Sequence, residues 1–348
     1  MSAQKAIVIT EPGKESLVTD HPIPILRDDY ILVKTVSVGL NPTDWKHIAS
    51  SAPPGVIVGC DYSGIVTAIG KDVRKKFNKG DRVCGFTHGA NAVQPQDGAF
   101  AEYIVAKGDI QMKIPDNISF QEAATLGVGI YTVGQALYQN LKLALPTDPI
   151  KDPTPILIYA GSTATGTLAI QFAKLSGYKV LTTCSPHNFD LVRRLGADIV
   201  FDYKDSTTAA EIRKYTNNDL KLVLDCISLV SSAHFCDNAL STEGGEYCSL
   251  RNEKIERANV NTRSILAYTA IGEAFNFGDI PFPAKPDDKA FMEGFLAIAG
   301  PLLAQGKIKV HPPKVGIDGL KGVIDGLRLL KANKVSGEKL VYNVAETP

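Results

Sequence analysis

Residues 156–166 read Ile156-Leu157-Ile158-Tyr159-Ala160-Gly161-Ser162-Thr163-Ala164-Thr165-Gly166. An apolar run is followed by a turn of small residues, and the residues after the turn have the apolar period of a helix. On the dinucleotide-binding fingerprint, Gly161 and Gly166 take the first and last glycine positions, while Thr163 replaces the middle glycine. The stretch therefore predicts a strand, a tight turn and a helix whose N-terminus can bind a pyrophosphate.

This turn has two other possible interpretations. A Walker A motif is excluded because Thr167, not lysine, follows Gly166. A plain connection between a strand and a helix remains open, since small residues are common there. Without the middle glycine, we expect the hydroxyls of Ser162, Thr163 and Thr165 to supply hydrogen bonds to the ligand.

The chain around this turn has two different rhythms. Before residue 100, short β-branched runs alternate with turns, which predicts a β-rich domain. Residues 118–145 have the period of a helix, and strands alternate with helices from residue 154 onward, which predicts a parallel sheet covered on both faces. The predicted class is α/β, with a β-rich domain at 1–125, a doubly wound α/β domain at 126–278, and a C-terminal segment, 279–348, that returns to the first domain. Within this plan, residues 41–47 and 276–288 are expected to be loops.

Composition excludes several classes of function. The 37 basic and 37 acidic residues cancel, so the basic excess typical of nucleic-acid and anionic-membrane binders is missing. The six cysteines are scattered without a CxxC pair, as in reduced cytosolic proteins. No apolar stretch approaches the roughly 18 residues of a membrane span. We expect a soluble cytoplasmic protein.

The end of the next strand indicates which coenzyme is bound. A site for NAD would place an acidic residue about twenty residues after the turn. This chain has Cys184-Ser185-Pro186-His187-Asn188 there, and Ser185, His187 and Asn188 can donate to a 2′-phosphate. The alternative is that these residues only cap the helix that opens at Phe189. The sequence favours NADPH.

Candidates for the chemistry are few. The six histidines are far apart and no cysteine cluster is present, so nothing signals zinc, and no GxSxG elbow indicates a hydrolase. A metal-free reductase must hold a developing oxyanion with other donors. Lys46 and Thr132 are the candidates, although a lysine is more often a solvated surface residue and a threonine often only packs a helix. Asp44 and Trp45 are expected to cap and pack the loop beside Lys46.

Three further motifs carry a family resemblance. Residues 59–64 (Gly-Cys-Asp-Tyr-Ser-Gly), 80–83 and 98–103 resemble the GroES-like domain of medium-chain dehydrogenases/reductases, whose second domain is of the Rossmann type. Zinc alcohol dehydrogenases of that superfamily have His-Glu in place of Cys60-Asp61. Residues 162–165, 185–191 and 336–339 are similar to fungal trans-acting enoyl reductases of the lovastatin and ToxD-like type, which act beside highly reducing polyketide synthases. The likeness covers nearly the whole chain.

This resemblance implies a set of site residues. Lys46 and Thr132 fall at the family's active-site lysine and threonine. NADPH would contact Thr43, Asp44, Trp45, Lys46, Gly161, Ser162, Thr163, Ala164, Thr165, Ser185, Pro186, His187, Asn188, Tyr203, Leu250, Arg251, Val335 and Ser336. The substrate would contact Gly127, Gly129, Ile130, Tyr131, Thr132, Val133, Gly134, Thr269, Ala270, Ile271, Gly272 and Glu273. The chain departs from the family at Arg251 and within 269–273, where only the ends agree, so the resemblance does not fix the substrate.

The sequence thus predicts an NADPH-dependent, zinc-free enoyl reductase that binds its thioester between the two domains. The thioester would be presented by the acyl carrier protein of a separate polyketide synthase. Medium-chain reductases often dimerise, whereas the lovastatin-type likeness implies a monomer. Two alternatives remain: a reductase of free quinones or enones, and an NADPH-binding scaffold protein without turnover.

Overall fold

The computed structural model describes residues 3–50 and 52–348, which form two compact units. One unit takes the chain up to Val128 together with Tyr268–Pro348, and the other is Gly129–Ala267. The chain therefore returns to the first unit at Tyr268, earlier than the boundary predicted after residue 278. The physical reason is that the Tyr268 ring packs against rings of the first unit, with centroids 4.3 Å from His88 and 5.3 Å from Phe86.

The N-terminal part of the first unit is mainly antiparallel sheet. Buried side chains alternate with more exposed ones along much of β3, whereas β5 and β6 are buried on both faces except at their first residues. The elements are β1 (Ala3–Glu11), β2 (Lys14–Pro22), β3 (Tyr30–Gly39), α1 (Pro42–Ser50), β4 (Asp61–Ile69), β5 (Arg82–Phe86), β6 (Tyr103–Lys107), β7 (Met112–Lys113) and α2 (Phe120–Ala123). The next helix, α3 (Gly127–Val133), begins in this unit and continues into the second unit after Val128.

The second unit is built around a six-stranded parallel sheet of described residues. Its order is β10-β9-β8-β11-β12-β13, that of a doubly wound nucleotide-binding fold, which confirms the predicted fold class. The central strand β8 is apolar throughout, because helices cover both faces of the sheet. The elements are a π-helix (Gly134–Asn140), β8 (Pro155–Tyr159), α4 (Ala164–Leu175), β9 (Lys179–Cys184), α5 (Phe189–Arg194), β10 (Ile199–Asp202), α6 (Thr208–Tyr215), β11 (Leu222–Asp225), α7 (Val230–Ala239), β12 (Gly245–Ser249) and β13 (Val260–Ser264).

The returning part of the chain completes the first unit. It contains β14 (Phe275–Phe277), β15 (Ile280–Phe282), α8 (Pro286–Ala304), β16 (Pro313–Val315), α9 (Gly319–Lys331) and β17 (Lys339–Asn343). Strand β17 pairs antiparallel with β3 and so joins the larger sheet, in the order β16-β17-β3-β4-β5-β7, with β6 also paired to β3. No helix among the described residues is both long and apolar enough to cross a membrane.

Two local predictions were wrong, and two strands were missed. The expected loop at 41–47 opens helix α1, because Pro42 starts the helix and the Asp44 carboxylate accepts from the Asn41 N–H at 2.7 Å. The expected loop at 276–288 contains the hairpin β14–β15, whose Phe275 and Phe282 rings stack at 5.0 Å. Strands β2 and β13 were not predicted; their side chains are mostly exposed or half-buried, so they lack an apolar run.

The predicted helix at 118–145 is interrupted. It stops after α2, where the Thr125 hydroxyl donates to the Glu122 carbonyl at 2.7 Å and competes with the helix ladder. It restarts at Gly127, and beyond Val133 it widens into the π-helix, as shown by the bond from the Leu141 N–H to the Ala136 carbonyl at 2.9 Å.

A buried ion pair joins the distant segments of the first unit. The Lys339 ammonium contacts the Asp61 carboxylate, the Asn41 side-chain oxygen at 2.8 Å and the Thr125 carbonyl at 3.4 Å. The second Asp61 oxygen accepts from the Val128 N–H at 2.7 Å and thereby caps the start of α3. Lys339 is 3% exposed and Asp61 is fully buried, so neither charge has water as an alternative partner.

We expect Lys339→Met to destabilise the first unit by about 3–5 kcal/mol, because it leaves the Asp61 charge buried without its cation. Trp45, the only tryptophan of the chain, lies in this unit and reports its unfolding in urea by fluorescence. The control Lys314→Met breaks the surface pair of Lys314 with Glu338 and should cost no more than about 0.5 kcal/mol.

The double variant Lys339→Met/Asp61→Asn should be more stable than Lys339→Met alone, because the uncompensated charge is gone. Equal costs for Lys339→Met and Lys314→Met would contradict the role given to the buried pair.

Candidate functional site

The turn after β8 requires glycine at two positions. A Cβ atom on Gly161 would lie 2.0 Å from Thr182 Oγ1 on the neighbouring strand, and one on Gly166 would lie 2.5 Å from the Ala160 carbonyl oxygen. Gly161 is also tied to β9, since its N–H donates to the Thr183 carbonyl at 2.9 Å. The turn is therefore narrow. A ligand at the N-terminus of α4 could contact only the backbone and the first side chains of that helix.

Thr163 is used inside this turn. Its hydroxyl accepts from the Gly166 N–H at 3.0 Å, so it is the N-cap of α4, and it donates to the Ala160 carbonyl at 2.9 Å. In this structure the Thr163 hydroxyl proton is directed at Ala160, and the expectation that Thr163 donates to the ligand stays a prediction. Ser162, Ala164 and Thr165 are half-buried beside it, and the hydroxyls of Ser162 and Thr165 remain candidates.

The residues after β9 do not act as helix caps. Pro186–Asn188 form one turn of 3-10 helix, and neither the Ser185 nor the Asn188 side chain makes a capping hydrogen bond. Ser185 is half-buried, Asn188 is buried, and Pro186 and His187 are exposed. The structure therefore gives no support to the capping alternative for Ser185 and Asn188.

Parallel pairing brings further predicted residues to the same edge of the sheet. Asp202, the last residue of β10, stands opposite Cys184, so Tyr203 follows β10 where Ser185 follows β9. Tyr203 is 40% exposed, with its ring 6.3 Å from the Tyr159 ring. Leu250 and Arg251 follow β12 at this same carboxyl edge, where ligands of such sheets bind.

The predicted substrate residues on α3 and the π-helix are mainly interior. Ile130, Tyr131 and Val133 are fully buried, Gly134 is buried, and Thr132 is 3% exposed. A Cβ atom on Gly129 would lie 2.8 Å from the Leu168 side chain, so this glycine lets α3 approach α4 closely. Within the second unit, Thr132 therefore lies on a helix that packs directly against the helix of the glycine turn.

In the first unit, helix α1 carries Thr43, Asp44, Trp45 and Lys46. Asp44 is 1% exposed, and burial, the largest cause, raises the pKa of its carboxyl to about 7. Trp45 packs against the apolar core, and the Lys46 ammonium is 5.7 Å from the centre of the Trp45 ring. The expected capping and packing roles of Asp44 and Trp45 agree with these contacts.

Thr43 points into a cluster of buried polar and aromatic side chains. Its Oγ1 is 2.8 Å from the Tyr268 hydroxyl and 3.5 Å from His47 Nε2, and the Cys60 sulfur is 3.5 Å from the same Tyr268 hydroxyl. Burial lowers the pKa of His47 to about 4 and raises the pKa values of Cys60 and Tyr268 well above their usual ranges. These three groups are therefore neutral near pH 7.

Tyr268 leads directly into the predicted substrate segment 269–273. Ala270 and Ile271 are buried, whereas Thr269, Gly272 and Glu273 are half-buried. The Glu273 carboxylate accepts from the Tyr30 hydroxyl at 2.9 Å and from the Lys107 ammonium at 2.7 Å. The two remaining predicted residues lie between α9 and β17, Val335 half-buried and Ser336 exposed.

Sequence reasoning missed four side chains that contact these residues or their elements. Tyr268 lies within hydrogen-bond distance of Thr43, and Cys60 contacts the same Tyr268 hydroxyl, while Asp61 and Lys339 support the starts of α1 and α3. Three of these residues, Cys60, Asp61 and Lys339, lay within quoted motifs at 59–61 and 336–339, and Tyr268 directly precedes a predicted segment. Their partners are remote in sequence, so the contacts themselves left no local signal.

Comparison with protein families identifies both parts of the chain. Residues 27–116 match the family described as "Alcohol dehydrogenase GroES-like domain", and residues 164–247 match "Zinc-binding dehydrogenase". Among residues 3–50 and 52–348, no three His, Cys, Asp or Glu side chains are grouped so that they could hold a metal ion. The described residues therefore do not form a site for the zinc in the second family's description.

Two curated relatives are fungal. The chain is 63% identical over 286 residues to "Trans-enoyl reductase TOXD" of Cochliobolus carbonum, covering 82% of this chain and 96% of the relative. It is 49% identical over 356 residues to "Trans-enoyl reductase resD" of Aspergillus sclerotiorum, covering 98% of this chain and all of that protein.

Solved structures share the fold across the whole chain. An alcohol dehydrogenase superfamily protein from Novosphingobium aromaticivorans has a TM-score of 0.80 at 22% identity, covering 98% of this chain and 99% of the other. The quinone oxidoreductase from Coxiella burnetii has a TM-score of 0.73 at 26% identity, covering 99% and 100%. The fold implies a nicotinamide cofactor, and the glycine turn fits one because added Cβ atoms would fill its narrow cradle.

We expect Gly161→Ala to weaken the binding of reduced nicotinamide coenzyme at least about tenfold, since the new methyl group collides with Thr182 and Ile170 and must displace the turn. Coenzyme titration followed by nicotinamide fluorescence measures the affinity, and circular dichroism on heating measures the fold.

The matched control is Gly294→Ala in α8, where a Cβ would meet nothing within 4 Å. It should leave coenzyme affinity unchanged and increase helix stability by up to about 1 kcal/mol. Wild-type affinity in Gly161→Ala would show that the turn does not cradle the coenzyme.

Proposed function

This chain belongs to the fungal trans-enoyl reductases of the medium-chain dehydrogenase/reductase superfamily, and from this membership we propose that it reduces an α,β-unsaturated polyketide thioester with NADPH. The observation that carries the proposal is the 63% identity to a trans-enoyl reductase over most of both chains. A relative this similar normally retains the reaction type, while the acyl group is free to differ.

The choice of NADPH rests on the end of β9. Ser185, His187 and Asn188 can donate to a 2′-phosphate, and neither Ser185 nor Asn188 is needed as a helix cap. The nearest acid by register is Asp202, whose carboxylate accepts from the Lys204 N–H at 3.0 Å, and the exposed Lys204 side chain adds a cation at this edge. Cations and donors at this position favour the phosphorylated coenzyme.

The residues of the chain have distinct tasks in this reaction. When bound, the reduced nicotinamide supplies the hydride that reaches the β-carbon of the thioester. Negative charge then develops on the thioester oxygen, and the Lys46 ammonium and the Thr132 hydroxyl are the donors that hold it. A proton from water or a neighbouring group at the α-carbon completes the addition of two hydrogens across the double bond. Fixed alignment of the reactants contributes a large share of the rate.

The substrate would be held by the acyl carrier protein of a partner polyketide synthase. Both relatives are named trans-enoyl reductases, and a reductase that acts in trans receives its substrate from a separate enzyme. We propose that the protein acts as a cytoplasmic monomer on this carrier-bound thioester. Gly127–Gly134 and Thr269–Glu273 would contact the acyl chain, and buried Ile130 and Ile271 give these segments the apolar character that an acyl group requires.

A second candidate is the reduction of free quinones or enones with the same coenzyme. It is favoured by the 26% identity to a bacterial quinone oxidoreductase over the whole chain. The two candidates differ in their electrophile, and a direct comparison of substrates distinguishes them.

We expect rapid oxidation of NADPH when a crotonyl-pantetheine thioester is added, measured by stopped-flow absorbance at the reduced-nicotinamide band. NADPH should be preferred to NADH by about tenfold or more, equivalent to about 1.4 kcal/mol, because one charged phosphate contact is lost with NADH. Faster turnover of a simple quinone than of the thioester would favour the second candidate. Tight NADPH binding without oxidation of either substrate would contradict both.

Lys46→Met should lower kcat for the thioester about 100-fold while the fold is unchanged, because one donor to the oxyanion is lost. The matched control is Lys331→Met: the Lys331 ammonium lies 5.9 Å from the same Trp45 ring, at the exposed end of α9. Equal kcat values for the two variants would remove Lys46 from the mechanism.

A further inference from the structure

We infer that Tyr268 is the positioning residue that fixes helix α1 against the substrate segment 269–273. This inference rests on the proposed function, because it concerns how the reductase site is assembled. Tyr268 lies within hydrogen-bond distance of Thr43 on α1 and is joined directly by the chain to Thr269. One side chain thus links a predicted coenzyme contact to a predicted substrate contact.

The Tyr268 ring is held firmly. It is 6% exposed and packs among four rings whose centroids lie 4.3–5.3 Å away, those of His88, His47, Phe86 and Phe277. Close packing on several sides restricts the ring to one orientation. The position of the Tyr268 hydroxyl is therefore fixed, 2.8 Å from Thr43 Oγ1.

The Tyr268 hydroxyl is better suited to a fixed hydrogen bond than to proton donation. Burial raises the pKa of Tyr268 well above its usual range, and the neighbouring Cys60 raises it further. The group therefore stays protonated through neutral and mildly alkaline pH. A permanently neutral hydroxyl can donate one hydrogen bond and accept another, which holds Thr43 in one rotamer without changing the charge of the site.

The far end of the segment is fixed independently. Glu273 binds the Tyr30 hydroxyl and the Lys107 ammonium, and between the ends the Gly272 N–H donates to the Thr269 carbonyl at 2.9 Å. Gly272 has φ +81°, a left-handed conformation suited to glycine. The segment is thus a short turn attached at both ends, and Tyr268 provides the attachment that reaches α1.

The contact between Tyr268 and Thr43 also affects the position of Lys46, because both Thr43 and Lys46 lie on α1. Thr43 and Lys46 are three residues apart on α1 and so share one side of it. Fixing the Thr43 side chain therefore fixes the first turn of the helix that carries the proposed oxyanion donor. A displacement of about 1 Å at such a donor can reduce the rate as much as 100-fold.

A double-mutant cycle tests this inference. Tyr268→Phe keeps the ring and removes the hydroxyl, and Thr43→Val keeps the side-chain volume and removes its partner. We expect each single variant to lower kcat for crotonyl-pantetheine about tenfold with a smaller change in KM, and the double variant to be no worse than the poorer single variant. The loss should be constant from pH 6 to pH 9, because neither group titrates there.

The matched control is Tyr138→Phe in the second unit, where a 5% exposed tyrosine hydroxyl lies 2.9 Å from Ser176 Oγ. It removes a comparable buried hydroxyl and should change kcat less than twofold. Additive losses in the cycle, or equal losses for Tyr268→Phe and Tyr138→Phe, would overturn the inference. A loss that appears only above or below one pH value would assign Tyr268 to proton transfer instead and would also overturn it.

Measuring coenzyme affinity in the same double-mutant cycle distinguishes a failure of this inference from a failure of the proposed function. If the wild-type protein reduces no thioester, the proposed function fails, but the NADPH dissociation constants of the four proteins are still measurable by quenching of Trp45, two residues from Thr43. Non-additive losses of affinity support the tether between Tyr268 and Thr43. Unchanged affinity in both single variants, together with wild-type inactivity, would reject both proposals.

Discussion

The buried contact between Lys339 and Asp61 is the constraint on which the first unit depends. It joins residues 278 apart in the sequence, and its remaining hydrogen-bond positions are filled by Asn41, Thr125 and Val128. A buried charge is tolerated only with its partners in place, so these five residues must assemble together. Asn41 directly before α1 and Val128 in the first turn of α3 are among the partners, so one set of contacts within the first unit holds the starts of both helices.

The two units position their candidate ligand contacts by different physical means. In the second unit, the parallel sheet places several strand ends at one edge, and the tight glycine turn exposes the N-terminus of α4. The contacts expected there come mainly from backbone N–H groups, since the Thr163 hydroxyl caps the helix. In the first unit the candidate groups are side chains on α1 and on the turn after Tyr268. Their positions depend on tertiary contacts rather than on a sheet edge.

This difference explains what the sequence could predict. The βαβ pattern is local: β8, the turn and α4 are contiguous, and glycine spacing alone identified Gly161 and Gly166. Helix α1 was mistaken for a loop because its polar first turn is stabilised by Asp44, a buried carboxylate that resembles a surface residue in sequence. The contact of Thr43 with Tyr268 spans 225 residues, and no periodicity records such a pair. The family resemblance supplied the segment 269–273, but not the tyrosine that holds it.

The cluster around Thr43 is neutral for a reason that bears on catalysis. Burial lowers the pKa values of His47 and His88 and raises those of Cys60 and Tyr268. All four groups are therefore neutral near pH 7, because burial disfavours the charged form of each. Asp44, with its pKa raised to about 7, is only partly ionised at neutral pH. Electrostatic interactions are strong in such a dry, weakly charged environment. In the proposed reaction, an ammonium at the border of this cluster, as Lys46 is on α1, would meet little opposing charge from the cluster.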